Sequence, residues 1–286
     1  MQKTTFFFLV FSFSLSAQTK GIVVDSLGTP ISYVSIWVEN ENKATTSEEN
    51  GTFSIQVSPD AKLIFSALGY KQKTVLAAQA ARVVLKQTIF GLDNVVVKKP
   101  KSTKLIEIGQ VSHAILEAFD TGPKMDAKFF PYEEKYKKNK WIKKIMLTTD
   151  SPIENASLKL HLFEVDENGF PGEELLNQDL IVTLKKGVFR HQFDINNLNI
   201  EMPEKGLFVA FEKMRIEKNK VERKITNAQT GTVTTDITYA PKVLCYMVKK
   251  PFSFTFSGGK WVKKVNQEEV GEPLQIYEPS LTLLLS

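Results

Sequence analysis

Short runs of β-branched and aromatic residues, separated by turn residues, follow one another through the first third of the chain. The run Thr52–Val57 shows the pattern most clearly, because Phe53, Ile55 and Val57 alternate with polar side chains. A period of two puts the apolar side chains on one face of a strand, which the fold must then bury. The chain is therefore constrained to form layered sheets.

Seven such runs lie between residues 20 and 97. Turn residues divide them, and the pair Asn50–Gly51 allows the positive φ that a tight reversal needs. Seven short strands in about 70 residues predict a small β-sandwich. The predicted strands are Gly21–Asp25, Tyr33–Glu39, Lys43–Ser47, Thr52–Val57, Lys62–Leu68, Lys71–Leu76 and Ala81–Lys86.

Strand-like runs continue through residues 105–286, where they predict a larger antiparallel sandwich of the jelly-roll kind. Ser257–Lys260 (SGGK) is a hairpin signal. Only Val111–Phe119 has a spacing that favours a short helix. The predicted strands are Lys140–Thr148, Ser157–Val165, Asp179–Leu184, Gly187–Asp194, Gly206–Met214, Lys242–Val248, Phe252–Phe256, Lys260–Val265 and Leu281–Leu285.

The N-terminus has the features of a secretory signal peptide. Lys3 precedes the apolar run Phe6–Leu15, and Ala17 offers a small residue for cleavage. As a helix this run would rise only about 15 Å, about half the thickness of a bilayer core, which disfavours a membrane anchor. We therefore predict a signal peptide at residues 1–17 and an exported protein.

The positive charge is concentrated in one segment. The chain carries 37 basic and 32 acidic side chains, and residues 98–144 alone carry a net charge of +6. One interpretation is a solvated basic linker at residues 98–104 followed by a lysine-bearing edge strand. The other is attraction to an anionic envelope surface. Nucleic acid is a poor candidate partner for an exported protein.

Few residues are suited to catalysis or metal binding. The chain has one cysteine, Cys245, and three histidines, and it carries no phosphate-binding loop or nucleophile-elbow motif. We predict a buried Cys245, with an intermolecular disulfide as the alternative, and no catalytic residue, metal or cofactor. Asp166 and Asn168 lie in a turn that is either a solvated loop or a weak calcium site.

Aromatic residues are the best candidates for binding. Trp261 stands beside the predicted hairpin tip, where it could stack on a sugar, and Tyr239, Tyr246 and Tyr277 are further candidates. The polar interval Arg215–Tyr239 is longer than most hairpin loops. It is interpreted either as a mobile or β-ribbon excursion or as an arm that binds a partner.

Residues 21–70 carry a set of spaced motifs. These are G-x-V-x-D at Gly21–Asp25, G-x-P-I at Gly28–Ile31, Y-V-S-I at Tyr33–Ile36, N-G-x-F-x-I at Asn50–Ile55 and S-x-x-G-Y at Ser66–Tyr70. The set resembles the carboxypeptidase regulatory-like domain, which implies a transthyretin-like, seven-stranded sandwich over residues 18–97. The resemblance also implies a non-catalytic accessory role in an exported protein of Bacteroidetes type, often associated with outer-membrane receptors. It therefore implies a location in the periplasm or at the outer membrane.

The second part also resembles known domains, though more loosely. Segments such as Phe129–Pro131 (FFP), Leu160–Leu176 and Gly206–Glu212 (GLFVAFE) are similar to a domain that follows the regulatory-like module, and to galactose-binding-like jelly rolls. Together these features predict a non-catalytic binding or scaffolding protein of the cell envelope, with a glycan or an outer-membrane protein as its partner. The alternative is a hydrolase of envelope polymers that uses carboxylates of the second domain.

Overall fold

The computed structural model describes residues 17–88, 104–110, 116–119, 122–248, 252–265 and 276–286. These residues form β-strands joined by turns and by four 3-10 helices of three residues each, at Ala77–Gln79, Glu134–Tyr136, Asn196–Leu198 and Glu217–Asn219. The all-β fold class is therefore confirmed. None of the helices in these ranges is long and apolar enough to cross a membrane.

The first sandwich consists of seven strands in two sheets. One sheet has the order β4-β1-β7, in which β1 and β7 run parallel, and the other has the order β3-β2-β5-β6. All seven predicted strands are present. Their bounds are β1 Ala17–Val24, β2 Ser35–Val38, β3 Ala44–Thr46, β4 Thr52–Val57, β5 Lys62–Ser66, β6 Lys73–Leu76 and β7 Arg82–Val84.

The alternation in β4 determines how this sandwich packs. Phe53, Ile55 and Val57 are buried in a core that the two sheets share, while the residues between them are exposed. The predicted turn before β4 is also present. Gly51 has a φ of +76°, and a Cβ there would lie 2.7 Å from the carbonyl oxygen of Val23, so both the conformation and the space require glycine.

The second sandwich packs two larger sheets around a core of leucine, isoleucine and valine side chains. Sheet I has the order β13-β12-β16-β10-β20-β21, with β14 also on β12; sheet II has the order β22-β19-β11-β23-β8, with β15 on β11 and β9 on β19. Strands β17 and β18 form a separate two-stranded ribbon. The bounds are β8 Ile106–Ile108, β9 Leu116–Phe119, β10 Met125–Phe130, β11 Ile142–Ser151, β12 Ala156–Val165, β13 Pro171–Glu174, β14 Leu180–Leu184, β15 Gly187–Asp194, β16 Leu207–Lys213, β17 Lys220–Thr226, β18 Val233–Tyr239, β19 Lys242–Val248, β20 Phe252–Ser257, β21 Lys260–Val265, β22 Ile276–Pro279 and β23 Thr282–Leu285.

All nine strands predicted for this part are present, and the jelly-roll order of strands stays a prediction. The helix predicted at Val111–Phe119 is wrong for its last four residues, which form β9. Leu116–Phe119 pairs antiparallel with β19, so its backbone hydrogen bonds are made across the sheet. Helical spacing in so short a segment is a weak signal, because stable helices are usually longer.

Two further predictions fall largely outside the described residues. These are the signal peptide, of which only Ala17 is described, and the basic linker at residues 98–104, of which only Lys104 is described. Ala17 begins β1, where it pairs with Val57.

The two sandwiches contact each other directly. Trp37 and Ile64 of the first sandwich form one buried cluster with Met125 of the second. Polar contacts extend this interface, since the Asn40 N–H donates to the Gly258 carbonyl at 3.1 Å and the Arg215 N–H donates to Thr46 Oγ1 at 3.1 Å. The loop between β2 and β3 is thus held by the β20–β21 hairpin.

Several lysines of the basic segment have acidic partners. Lys124, Lys135 and Lys140 form ion pairs with Asp126, Glu133 and Glu201 at 3.1, 2.7 and 2.6 Å. Lys128 is buried and lies 3.2 Å from the carboxylate of Glu278. Asp126 and Glu133 are already counted in the net charge of this segment, so only Glu201 and Glu278, which lie outside it, offset that charge.

Candidate functional site between the two sandwiches

The outer face of sheet I is unusually polar at its centre and aromatic at its margin. On β12, Leu158, Leu160 and Leu162 face the core of the second sandwich, so Lys159 and His161 point to the opposite face. A charged face of this kind normally meets solvent, yet Lys159 is 2% exposed. The first sandwich covers it.

A cleft of about 310 Å³ remains between the two sandwiches. The first sandwich contributes β2 and the segment from Ser66 to Gln72, which includes the S-x-x-G-Y motif. The second contributes the outer face of sheet I. The lining residues are Ser35, Trp37, Ser66, Ala67, Leu68, Gly69, Tyr70, Gln72, Met125, Lys159, His161, Phe163, Gly172, Glu174, Asp179, Glu212, Phe256 and Trp261.

An ion cluster centred on His161 forms the polar part of the cleft. The Nδ1 atom of His161 lies 2.9 Å from Glu174 Oε2, and its Nε2 atom lies 3.2 Å from Glu212 Oε2. Glu212 also accepts a hydrogen bond of 2.8 Å from Ser35 Oγ, and therefore links the two sandwiches. Lys159 makes a second link, because its Nζ donates to the Tyr33 carbonyl at 2.8 Å.

These contacts set the protonation state of the cluster. Burial by itself lowers the pKa of His161, but the hydrogen bonds and charges of Glu174 and Glu212 outweigh it and raise the pKa to about 9. Burial favours the neutral form of Glu212 too, and by itself it raises the pKa of this carboxyl. The contacts with His161, Lys159 and Ser35 outweigh burial, so the pKa of Glu212 is lowered. At neutral pH, His161 is an imidazolium between carboxylates.

This arrangement is suited to joining the sandwiches rather than to proton transfer. An imidazolium that donates from both nitrogens has no basic nitrogen left to accept a proton. Glu174 is also engaged twice, because its second oxygen accepts the Leu162 N–H at 2.7 Å. A general base requires a group that can receive a proton from a ligand, and the imidazolium of His161 is not such a group in this state.

Aromatic rings form the other wall of the cleft. Trp261 is half-buried, and its ring meets the rings of Phe163 and Phe256 edge to face, with 5.4 Å between centroids in each pair. Trp37 contacts Phe256 at 5.2 Å from the first sandwich. The sequence-predicted residue Trp261 thus lies in a cavity that both sandwiches line.

The structure does not bring the four predicted binding residues together. Tyr239 lines a different cavity, where Arg215 lies 4.5 Å above its ring. Tyr246 and Tyr277 lie on the paired strands β19 and β22, but in a register that puts them on opposite faces of sheet II. Their role in binding stays a prediction.

Asp166 is used within its own turn. Its Oδ1 accepts the backbone N–H groups of Asn168 and Phe170 at 2.8 and 2.7 Å. Gly169 has a φ of +79°, as a tight turn requires. These contacts are those of a turn that is stabilised by its own aspartate.

Sequence reasoning missed the residues at the centre of the cleft. The signal was present in part, since Lys159, His161 and Phe163 alternate with the leucines of β12. The partners of His161 come from β13 and β16, and the cover comes from β2, about 125 residues away along the chain. Local patterning cannot show such contacts.

Residues 19–97 match the model of the CarboxypepD_reg-like domain, a non-catalytic domain of the regulatory and binding type. The resemblance predicted from the motifs is therefore confirmed for this part of the chain. No protein of curated function matches the sequence.

Two solved structures from infectious bursal disease virus are similar to most of the chain at a low level. The structure of the infectious bursal disease virus Gx strain is 9% identical in sequence, with a TM-score of 0.19. The match covers 94% of the present chain and 60% of the viral chain. The VP2 subviral particle of the same virus is 10% identical in sequence, with a TM-score of 0.20. The match covers 97% of the present chain and 58% of the viral chain. The present chain thus spans less than two thirds of these viral chains, and scores this low support no conclusion.

Proposed function

We propose that this protein is an exported, non-catalytic binding protein of the cell envelope that takes a segment of neutral glycan in the cleft between its two sandwiches. The observation that carries the proposal is the position of Trp261 beside polar groups of both sandwiches in one cavity. Small-molecule sites are concave, mostly apolar and supplied with a few oriented polar groups. At about 310 Å³, the cleft is at the lower end of the usual range of about 300–1,000 Å³.

The chemistry of the lining favours a neutral sugar. Trp261 offers an indole ring, and Tyr70 and Gln72 add groups that can hydrogen-bond hydroxyls. The ionisable side chains are two cations, Lys159 and His161, and three acids, Glu174, Asp179 and Glu212. The resulting excess of negative charge disfavours an anionic ligand.

The test is a glycan array of neutral oligosaccharides with the full chain and two variants. Trp261→Leu removes the ring in the cleft and should weaken binding about tenfold, which corresponds to about 1.4 kcal/mol. Trp141→Leu is the matched control, because Trp141 is also half-buried but does not line the cleft. Thermal unfolding of both variants checks the fold. Absence of binding to every neutral glycan, or equal losses in the two variants, would contradict the proposal.

A second candidate function is scaffolding of an outer-membrane protein. Strand β15 pairs only with β11 among the described strands, and it exposes Val188 and Phe189 by 63% and 45%. An apolar edge strand can accept a strand from another protein. Pull-down from envelope extracts should then recover a partner with the wild type and lose it with Phe189→Lys, whereas capture that Phe189→Lys leaves intact would oppose this function.

A further inference from the structure

A second cavity, of about 650 Å³, lies at the edge of sheet I. Residues 175–178, which join β13 to β14, form one wall, and residues 197–201, which lie between β15 and β16, form the other. The first wall is shared with the cleft between the sandwiches, because Glu174 and Asp179, at its two ends, line that cleft. Five extended residues span at most about 18 Å, so the two cavities are close neighbours.

Contacts with β12 hold the shared wall in place. The Leu175 N–H donates to the Leu162 carbonyl at 2.7 Å, and Lys159 Nζ lies 3.3 Å from Asp179 Oδ1. Strand β12 is itself paired on both sides, with β16 on one and with β13 and β14 on the other. A ligand that crosses this wall therefore meets a surface that is fixed to the interior of the sheet.

Amide side chains supply the hydrogen-bonding groups of the second cavity. Asn177 and Gln178 lie on the shared wall, and Asn197 and Asn199 lie on the other. The side chains of Asn177, Gln178 and Asn197 are exposed and make no hydrogen bond within the described part of the chain. Each amide carries both donors and an acceptor, which is what the hydroxyl groups of a sugar require.

The rest of the lining is apolar or neutralised. Glu201 is the ionisable side chain among the described lining residues, and its Oε2 lies 2.6 Å from Lys140 Nζ. Four aliphatic side chains that belong to the core of the second sandwich, or pack against it, provide the apolar surface: Leu175, Leu176, Leu198 and Ile200. Amides above an apolar surface, with no unpaired charge, fit an uncharged ligand that is rich in hydroxyls.

We propose that this cavity is a second subsite for the glycan, which continues from Trp261 in the cleft over the wall at residues 175–178 and places its next sugar units against the amides. The inference rests on the proposed function, because the cleft has to hold the first segment. The cleft has less than half the volume of the second cavity, about 310 against about 650 Å³. An oligosaccharide that reaches both cavities should therefore bind more tightly than one that fills the cleft alone.

Isothermal titration of the full chain with oligosaccharides of increasing length tests the proposal. The probes are malto-, cello-, manno-, galacto- and xylo-oligosaccharides, each from the disaccharide to the octasaccharide. Asn177→Ala and Asn197→Ala remove one amide from each wall, and Asn168→Ala is the matched control, because Asn168 is an exposed amide of a neighbouring turn that lines neither cavity. Trp261→Leu reports on the cleft, and thermal unfolding checks the fold of every variant.

We expect the octasaccharide of a series that binds to be held at least about tenfold more tightly than its disaccharide. Asn177→Ala and Asn197→Ala should each weaken the octasaccharide about fivefold, as loss of one hydrogen bond should, and leave the disaccharide unchanged. Asn168→Ala should change neither, and Trp261→Leu should weaken both.

The outcomes separate this inference from the proposed function. The second subsite is wrong, and the cleft still stands, if Trp261→Leu weakens the disaccharide but affinity does not rise with length. It is also wrong if the rise survives both Asn177→Ala and Asn197→Ala, or if Asn168→Ala removes as much of it. Failure of every series to bind at any length would contradict both proposals.

Discussion

Replacing His161 should remove a pH dependence of stability that the wild-type protein carries. In the folded state the pKa of His161 is about 9, compared with about 6.5 for an unfolded histidine. Because the folded pKa is raised, the stabilisation is fully present below pH 6.5 and is lost as the pH rises through 9. At about 1.4 kcal/mol per pH unit between the two pKa values, it amounts to about 3 kcal/mol.

Glu212, which contacts His161, does not obscure this window. The pKa of Glu212 is lowered, so its own contribution is lost only as the pH falls in the acid range. Lys159, Ser35 and Glu174 are the other groups that surround the two residues. The free energy of unfolding of the wild type should therefore decrease between pH 6.5 and pH 9.5.

His161→Gln should lower stability at pH 7 and make the curve flat between pH 6.5 and pH 8. Above that range the variant should still lose stability, because the thiol of Cys245 ionises in the unfolded chain while burial holds its folded pKa at about 12. The glutamine has no positive charge, so it leaves carboxylates at the interface without their cation, a loss of about 3–5 kcal/mol for a buried pair. Urea unfolding followed by tryptophan fluorescence at a series of pH values measures both effects. The control is His191→Gln, because burial and Lys185 lower the pKa of His191, and its own pH dependence falls below the window.

Two results would refute this reasoning. One is a wild-type free energy of unfolding that stays constant or rises between pH 7 and pH 9.5. The other is a decrease between pH 6.5 and pH 8 that persists in His161→Gln. Either would mean that the imidazolium does not stabilise the contact between the sandwiches in solution.

Two further predictions concern the local structure. Gly51→Ala should destabilise the protein more than Gly69→Ala. Both glycines have a positive φ, which costs about 1–2 kcal/mol for alanine. Only at Gly51 would the added Cβ also collide with a backbone oxygen, at a distance of 2.7 Å. Thermal unfolding measures the difference, and equal losses would contradict it. Cys245 is 5% exposed, and burial, then the charges of nearby acids, raises the pKa of its thiol to about 12. It should therefore resist alkylation at pH 8 until urea unfolds the chain; rapid labelling of the folded protein would show the thiol to be accessible.

Patterns that are local in the chain were sufficient for most of the strands, but not for β10, which lies inside sheet I and was not predicted. The alternation in Thr52–Val57 and the turn at Asn50–Gly51 both appear as predicted, because a period of two and a positive φ depend on neighbouring residues only. The spacing of motifs between Gly21 and Tyr70 also identified the regulatory-like domain. Leu116–Phe119 shows the limit, since its strand partner, β19, is remote in sequence.

The candidate sites were decided by tertiary structure. The alternation of Lys159 and His161 with leucines defines two faces of a strand, but it does not say that another sandwich covers the polar one. Trp261 was the best binding candidate in the sequence and Tyr239 a further one, and the fold puts them in separate cavities. The physical reason is that burial, charge pairing and pKa depend on which surfaces meet, and here these surfaces come from segments more than a hundred residues apart.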